Sequence, residues 1–493
     1  MYFRGHKRRR RFVVSGNNGN SIIETSLIKR GWEPSDNELS YDLKWTELKS
    51  QINYDHMVEG KHLVNHIPSS SCITTKSGLL NSLRSYFGCN YTKDKNGASE
   101  MSSFFPETFR LSDCRERERL MSTVGEDEML ICKPTNSNQG KGIFLIKGKD
   151  QLCDYIEKKK KSGKGKLCSS RIVQRYISSP FLIHGRKFDI RVFLLVASTR
   201  PFNVFFHNGY LRLAVNSYDK ESSDLSVHLT NQYLQKKNPV YSKVKEDTIW
   251  SMEQFQEYLD NEGITERLNL KPNWVFTDFY ERMKLLAFTI FKSAQSSLVP
   301  KVGIFDLYGL DFMLDDSLNV WLIEVNTNPA LHTNCKVLND MIPPMVDETL
   351  GLCIELFDKK ANGISSFPIT SSINFELIYS SAKDLKFSNL MLPTFAMPNQ
   401  VQGAKMINRG SELSPIKCKV LQKPSKSAPP RRIKRPAPKK PTSDSSAETS
   451  DSVSVKEDDE QMPNAIEEKT QLTQMPLKLA LIEVAPCPKQ DVL

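Results

Sequence analysis

Three residues in the run YGLDFMLDDSLNVWLIEVNTNP have types and spacing that could do chemistry together: Asp311, Glu324 and Asn326. Acids inside otherwise apolar strands need a partner. Read as a β-hairpin with residues 316–319 as its loop, the run pairs Asp315 with Val320, Met313 with Leu322 and Asp311 with Glu324. Period-2 alternation puts Leu322, Glu324 and Asn326 on one face, and Trp321, Ile323 and Val325 on the other. Like charges directly opposite each other destabilise a sheet unless a cation lies between them. Two carboxylates and an amide carbonyl are hard oxygen ligands of the kind that hold Mg²⁺, which usually shares its shell with substrate phosphates. Asp315 and Asp316 read as turn residues and are left out of the set.

Cations are placed to meet such a phosphate. In KFDIRVFLL, Lys187, Asp189 and Arg191 alternate along one face of a strand, and Phe188, Ile190 and Val192 along the other. Lys187 and Arg191 would neutralise phosphoryl oxygens, and Asp189 would orient one of them or bind metal. A third piece, MLICKPTNSNQGKGIFLIK, reads as a strand ending at Lys133-Pro134, a turn containing Gln139-Gly140-Lys141-Gly142, and a second strand from Ile143 to Ile146. Its glycines let backbone N–H groups approach phosphates. It is not a P-loop, because GxxxxGK[ST] is absent and no helix follows. Ile172 to Ile177 reads as a strand running out into a turn at Ser178-Ser179-Pro180. NGYLRLAVNSY places Arg212 on a strand after an Asn208-Gly209 turn. SVHLTNQYLQKKN puts Thr230 and Asn231 in a loop or short helix.

These pieces need a large scaffold. The chain has 493 residues and a formal net charge of +11, enough for two or three domains with a sizeable core. The longest uncharged apolar stretch, Val192 to Ala197, is far too short to span a bilayer. The basic start MYFRGHKRRRRFVV has no following apolar segment and no small-residue cleavage site, which argues against a signal peptide. Ten cysteines without CxxC spacing read as reduced thiols of a cytosolic or nuclear protein. Composition shifts near residue 358. From about Ser411 the chain is Ser-, Pro- and Lys-rich, then acidic, and residues 405–493 are expected to be a disordered tail. Residues 361–404 read as a partly packed extension. The basic run Arg431 to Lys440 has the composition of a nuclear-import signal, of a contact for an acidic partner, or of a solvated linker.

The order KP, QGKGI, IVQRYI, KFDIRVFLL, LR, HLTN, YGLDFML and IEVNTNP resembles the tubulin–tyrosine-ligase-like family, and within it the glycylase branch. The resemblance covers about residues 10 to 357. It also includes FVVSGNNGNSIIETSLIKRGWE and TTKSGLLNSL. It implies an α/β (α+β) chain: residues 1–10 a basic segment, 11–125 a small N-terminal α/β region, and 126–360 an ATP-grasp core. It also implies roles. Lys133 and Lys187 match nucleotide lysines, and Gln139, Gly140, Lys141, Gly142 and Ile143 the loop over the phosphates. Gln174, Arg175, Tyr176 and Ile177 match the adenine hinge. Asp189, Thr230 and Asn231 match positions near the ribose, phosphates and metal. Arg191 and Arg212 match arginines for the γ-phosphate and for the acceptor or incoming amino acid. Asp311, Glu324 and Asn326 match the magnesium ligands, with Glu324 also counted catalytic. Many relatives carry Arg-Gly in the loop where this chain has Gln139-Gly140.

The implied activity is ATP-dependent addition of glycine to glutamate side chains of an acidic protein, a tubulin tail or a nucleosome-assembly-type protein. Polyglutamylation is the alternative, and a catalytically inactive, target-binding member is a second. The implied location is the cytoplasm, at the cytoskeleton or cilium. Neither a membrane nor a nucleic-acid partner is expected. The basic runs lack interleaved aromatics, and the absence of HRDxxxxN and DFG excludes a protein kinase.

Overall fold

The computed structural model describes residues 8–88, 100–137, 139–161 and 170–383. The expected tail at 405–493, its basic run, residues 384–404, most of the basic start and the loop at 162–169 lie outside the described residues.

Four short strands open the chain: β1 (Arg11–Ser15), β2 (Glu33–Pro34), β3 (Leu43–Thr46) and β4 (Leu63–Asn65). They pair in parallel, with the helix Asn20–Lys29 crossing between β1 and β2. Next come β5 (Thr108–Arg110), β6 (Met129–Pro134), β7 (Phe144–Lys147) and β8 (Arg171–Arg175), an antiparallel sheet in the order β5-β8-β6-β7. The remaining strands are β9 (Leu182–Ile183), β10 (Arg186–Thr199), β11 (Phe202–Leu213), β12 (Ile249–Ser251), β13 (Ile304–Leu314), β14 (Val320–Thr327) and β15 (Glu376–Ser380). They join β1–β4 in one sheet running β12-β11-β10-β13-β4-β3-β1-β2, with β14 on β13, β15 on β11 and β9 on β10. The N-terminal region is therefore no separate layer. Its strands continue the large sheet through β4 beside β13, and its β5 completes the smaller sheet.

Long helices cover both faces of the large sheet. Asp278–Ala294 buries Met283, Leu286 and Ile290 in one core with Ile190, Val192 and Leu310. Lys336–Ala361 buries Ile342, Val346 and Leu350 in another with Phe193, Leu195 and Phe305. The alternation expected of KFDIRVFLL thus holds: Phe188, Ile190 and Val192 enter the first core.

Two local readings of the sequence differ from the fold. Asn208-Gly209 is no turn; β11 runs straight through it. The register with β10 slips between Arg191 and Phe193, a bulge that brings Gly209 against the Arg191 carbonyl. A Cβ at residue 209 would stand 1.6 Å from that oxygen, so only glycine fits. The hairpin register also differs. Asp311 does face Glu324, but Leu314 pairs with Val320 and Phe312 with Leu322, because Ile323 is an extra residue in β14. That bulge reverses the parity of the strand. Val320, Leu322 and Val325 all enter the core, while Ile323 and Glu324 face the open side. Leu322 therefore does not share the face of Glu324.

Residues 366–380 form a strap on the helix Lys336–Ala361. Buried Glu348 accepts from the N–H groups of Ile373, Asn374 and Phe375. Glu355 accepts from those of Thr370 and Ser371. β15 then pairs with β11 over Asn203 to Phe206.

Candidate active site

Between the small sheet and the β10–β13–β14 surface lies an open cleft. One wall carries Lys133 on β6, Gln139, Gly140 and Ile143 on the glycine turn, and Gln174 to Ile177 at the end of β8. The other carries Lys187 and Asp189 on β10, Asp311 on β13, Glu324 on β14, and Thr230 with Asn231 on the connection beyond β11. Gln139, Gly140 and Gly142 all have positive φ. Gly140 comes so near the Asn231 amide that a Cβ there would be 3.2 Å from its Oδ1.

Five expected residues stand off the cleft wall. Lys141 reaches over the Tyr233 ring, 5.2 Å from its centroid. The Gly142 carbonyl accepts from Arg171. Asn326 donates through Nδ2 to Asp311 at 3.0 Å. Arg191 and Arg212 are buried behind the acids. Arg191 grips Asp311 through Nε at 2.5 Å and Nη2 at 3.1 Å. Arg212 grips Asp189 at 2.6 and 2.7 Å and reaches Asp311 with Nη2 at 2.8 Å. Thr230 closes the chain by donating to Asp189. Two aspartates and two arginines thus neutralise one another. Burial alone would raise the Asp311 carboxyl, but Arg191 and Arg212 hold it down at about 2.

The two lysines are in the opposite condition. Lys133 and Lys187 are 6% and 5% exposed. Lys133 donates to Gln174 Oε1 at 2.7 Å, and Gln174 in turn donates to Thr108. Lys187 donates to the Tyr176 hydroxyl at 2.9 Å. Burial pushes Lys133 down to about 8, with Glu324 opposing it. Burial, and then Lys133, push Lys187 down to about 7 against the pull of Asp189. A pair of desolvated ammonium groups facing one cleft is under-compensated and favours an anion between them.

Two carboxylates and an amide are the ligand types of a hard divalent ion, but among the described residues no group of three or more His, Cys, Asp or Glu stands together as a metal site. Glu324 and Asp311 sit opposite each other, and Gly309 opposite Asn326. Glu324 is held through Oε2 by Lys76 at 3.2 Å, whereas both Asp311 oxygens already accept from arginine. An ion would take Glu324 directly and share Asp311. The like-charge pair is already relieved by protein cations.

Lys76 is the cleft residue the sequence reading missed. It opens the helix Lys76–Tyr86, behind the N-cap Thr75, and also donates to the Ser137 carbonyl at the glycine turn. It lies in TTKSGLLNSL, but one lysine at a helix start carries no periodic signal. His228, Ile131 and Met313 also line the cleft and were likewise not singled out.

Comparison with known proteins places this chain in a family. A model of the "Tubulin-tyrosine ligase family" matches residues 54–362. The chain is 39% identical to "Protein polyglycylase TTLL10" of Macaca fascicularis, over 76% of this chain and 67% of that protein. It is 38% identical to "Inactive polyglycylase TTLL10" of Homo sapiens, over 76% of this chain and 61% of that one. It is 26% identical to "Probable alpha-tubulin polyglutamylase Ttll1" of Tetrahymena thermophila, over 74% and 92%. The chain thus spans about three-fifths to two-thirds of the length of the two polyglycylase-named relatives. With a mixed α/β, ATP-grasp-like architecture and a match over most of its described residues, the chain belongs to the tubulin-tyrosine ligase family.

Proposed function

We propose that this chain is an ATP-dependent protein polyglycylase acting on glutamate side chains of acidic proteins. The observation that carries the reading is the pair of under-compensated lysines, Lys133 on one wall of the cleft and Lys187 on the other, with Asp311 and Glu324 on the same wall as Lys187. The γ-phosphoryl group of ATP would pass to an acceptor carboxylate oxygen, giving an acyl phosphate and ADP. The amine of glycine would then attack the carbonyl carbon and expel phosphate. Lys133 and Lys187 neutralise charge on the phosphoryl oxygens. Arg191 and Arg212 hold Asp311 and Asp189 in place. Glu324, Asp311 and Asn326 would hold Mg²⁺, which supplies Lewis-acid stabilisation of that charge. The net charge of +11 favours acidic acceptors, such as tubulin tails or a nucleosome-assembly-type protein. A tubulin acceptor would put the protein at the cytoskeleton or cilium. No helix among the described residues is long and apolar enough to cross a membrane.

The test is purified chain with ATP, Mg²⁺ and an acidic acceptor, offered each radiolabelled amino acid in turn. Glycine has only an α-carboxylate to hold, while glutamate needs a second cation for its side chain. Glycine is expected to be incorporated at least about tenfold better than glutamate, or ~1.4 kcal/mol. Mass increments of glutamate on the acceptor would move the chain to the polyglutamylase alternative. No incorporation, with nucleotide still bound, would place it with the inactive relative.

Nucleotide binding is expected to take up protons. Lys187 falls from 10.5 to about 7 on folding, so between those values the folded chain binds fewer protons than the unfolded one. This group therefore makes stability rise with pH across that window. Phosphate oxygens would draw the proton back. Calorimetry at pH 8 in buffers of differing ionisation heat should register uptake of about one proton. Zero uptake would remove the lysines from the phosphate site.

Deleting residues 405–493 should leave nucleotide affinity and turnover on a short acidic peptide within about twofold, because every proposed site residue precedes them. Loss of turnover on that peptide would show that the tail takes part in the reaction.

A further inference from the structure

Behind Lys187 runs a line of hydrogen bonds whose direction can be worked out. His228 is 1% exposed. Its Nε2 lies 2.8 Å from the Ser222 carbonyl, which can only accept, so Nε2 carries a proton. Its Nδ1 lies 2.9 Å from the Tyr176 hydroxyl. That same hydroxyl is 2.9 Å from Lys187 Nζ. If Nδ1 also carried a proton, one hydroxyl oxygen would have to accept from an imidazolium and an ammonium at once. The Tyr218 hydroxyl, which donates to the Ser178 carbonyl, is a further partner of the Tyr176 hydroxyl; with His228 neutral, the Tyr176 proton lies between Nδ1 and Tyr218, and the Tyr176 oxygen accepts from Lys187. The surroundings support it. Lys187 Nζ sits 4.5 Å from the centroid of the Tyr176 ring and 5.7 Å from that of Tyr218. Both rings stand edge-on to His228. His228 ends the short helix Leu225–His228, and the charged neighbour there is the N-cap Asp224, whose carboxylate accepts from the Ser226 hydroxyl and N–H. On the cleft side, Asp189 and Lys133 act on Lys187.

We propose that His228 is a positioning residue: through Tyr176 it fixes the Lys187 ammonium at the point where the nucleotide phosphates are received. This rests on the reading of Lys187 as a phosphate lysine. It gives the Tyr176 side chain a different task from the hinge backbone of Arg175 and Ile177. The hydroxyl contacts the lysine and the histidine.

Two measurements test it. Selective ¹⁵N-histidine labelling of the ligand-free chain, with His228→Asn assigning the resonance, should show His228 as the neutral Nε2–H tautomer. Tyr176→Phe should shift its Nδ1 signal towards that of an unbonded imidazole nitrogen. Separately, calorimetry with a non-hydrolysable ATP analogue and Mg²⁺ should show about tenfold weaker binding for Tyr176→Phe and His228→Leu. His228→Asn, whose amide oxygen can sit where Nδ1 was, should recover to within about threefold of the unmodified chain. A protonated Nδ1 overturns the proposal. So does His228→Asn binding as weakly as His228→Leu when both melt like the unmodified chain. If the unmodified chain binds no analogue, the nucleotide reading falls, and the nitrogen spectrum alone decides the hydrogen-bond line.

Discussion

Glu324→Gln is expected to abolish ligation, by at least about a thousandfold, while leaving the fold intact. A thousandfold corresponds to ~4 kcal/mol of lost transition-state stabilisation. The substitution keeps the shape of the side chain and removes the member of the Asp311–Glu324 pair that arginine does not already hold. Its stability cost is small. The pair with Lys76, at 3.2 Å, joins side chains 12% and 20% exposed, and such a pair is worth roughly 0–1 kcal/mol near the surface. The melting temperature should therefore move by only a few degrees. Turnover of the acceptor and a thermal melt, run side by side, check both halves. A turning-over variant would dismiss the metal assignment, and a melted one would dismiss the view that Glu324 is placed for chemistry rather than for stability.

Asp311→Ala should behave differently, although Asp311 is the residue directly opposite. It is 2% exposed and accepts from Arg191, Arg212 and Asn326. Without it, Arg191 keeps a buried charge with its carboxylate gone, a loss of about 3–5 kcal/mol. The melting temperature should fall by roughly 5 °C, with loss of activity. The carboxyl's value falls from 3.8 to about 2 on folding. Its stabilising effect is therefore fully present above 3.8 and is lost as pH falls through 2. The difference from the unmodified chain should persist at neutral pH and close only in strong acid. A thermal melt of Asp311→Ala indistinguishable from that of Glu324→Gln would mean that the arginines are stabilised by other groups.

Much of this site was legible because strand chemistry is periodic. Lys187 and Asp189 could be put on one face by counting in twos, and the apolar partners of that face entered the core as counted. Counting failed where a strand carries an extra residue. Nothing in NVWLIEVNT announces that Ile323 is the bulge, and Asn208-Gly209 has the composition of a turn although it lies within a strand. Pairing between cations and acids was also out of reach. The sequence places Arg191 and Arg212 near the right strands. Only three-dimensional packing shows that they hold Asp311 and Asp189 instead of lining the cleft. The helix-borne Lys76 and the relay through His228 depend on contacts between distant segments, which no local pattern encodes.

The strap at 366–380 bears on how the edge of the large sheet is made. Both ends of β11 would otherwise offer a row of unpaired N–H and C=O groups at the margin of a large sheet, a template for a strand from another chain. β12 occupies one stretch of that margin, at Tyr210 to Arg212, and β15 the other, at Asn203 to Phe206. Glu348 and Glu355 hold the strap that delivers β15, so these two acids, remote from the cleft, decide that five residues of β15 form that part of the sheet edge in place of β11.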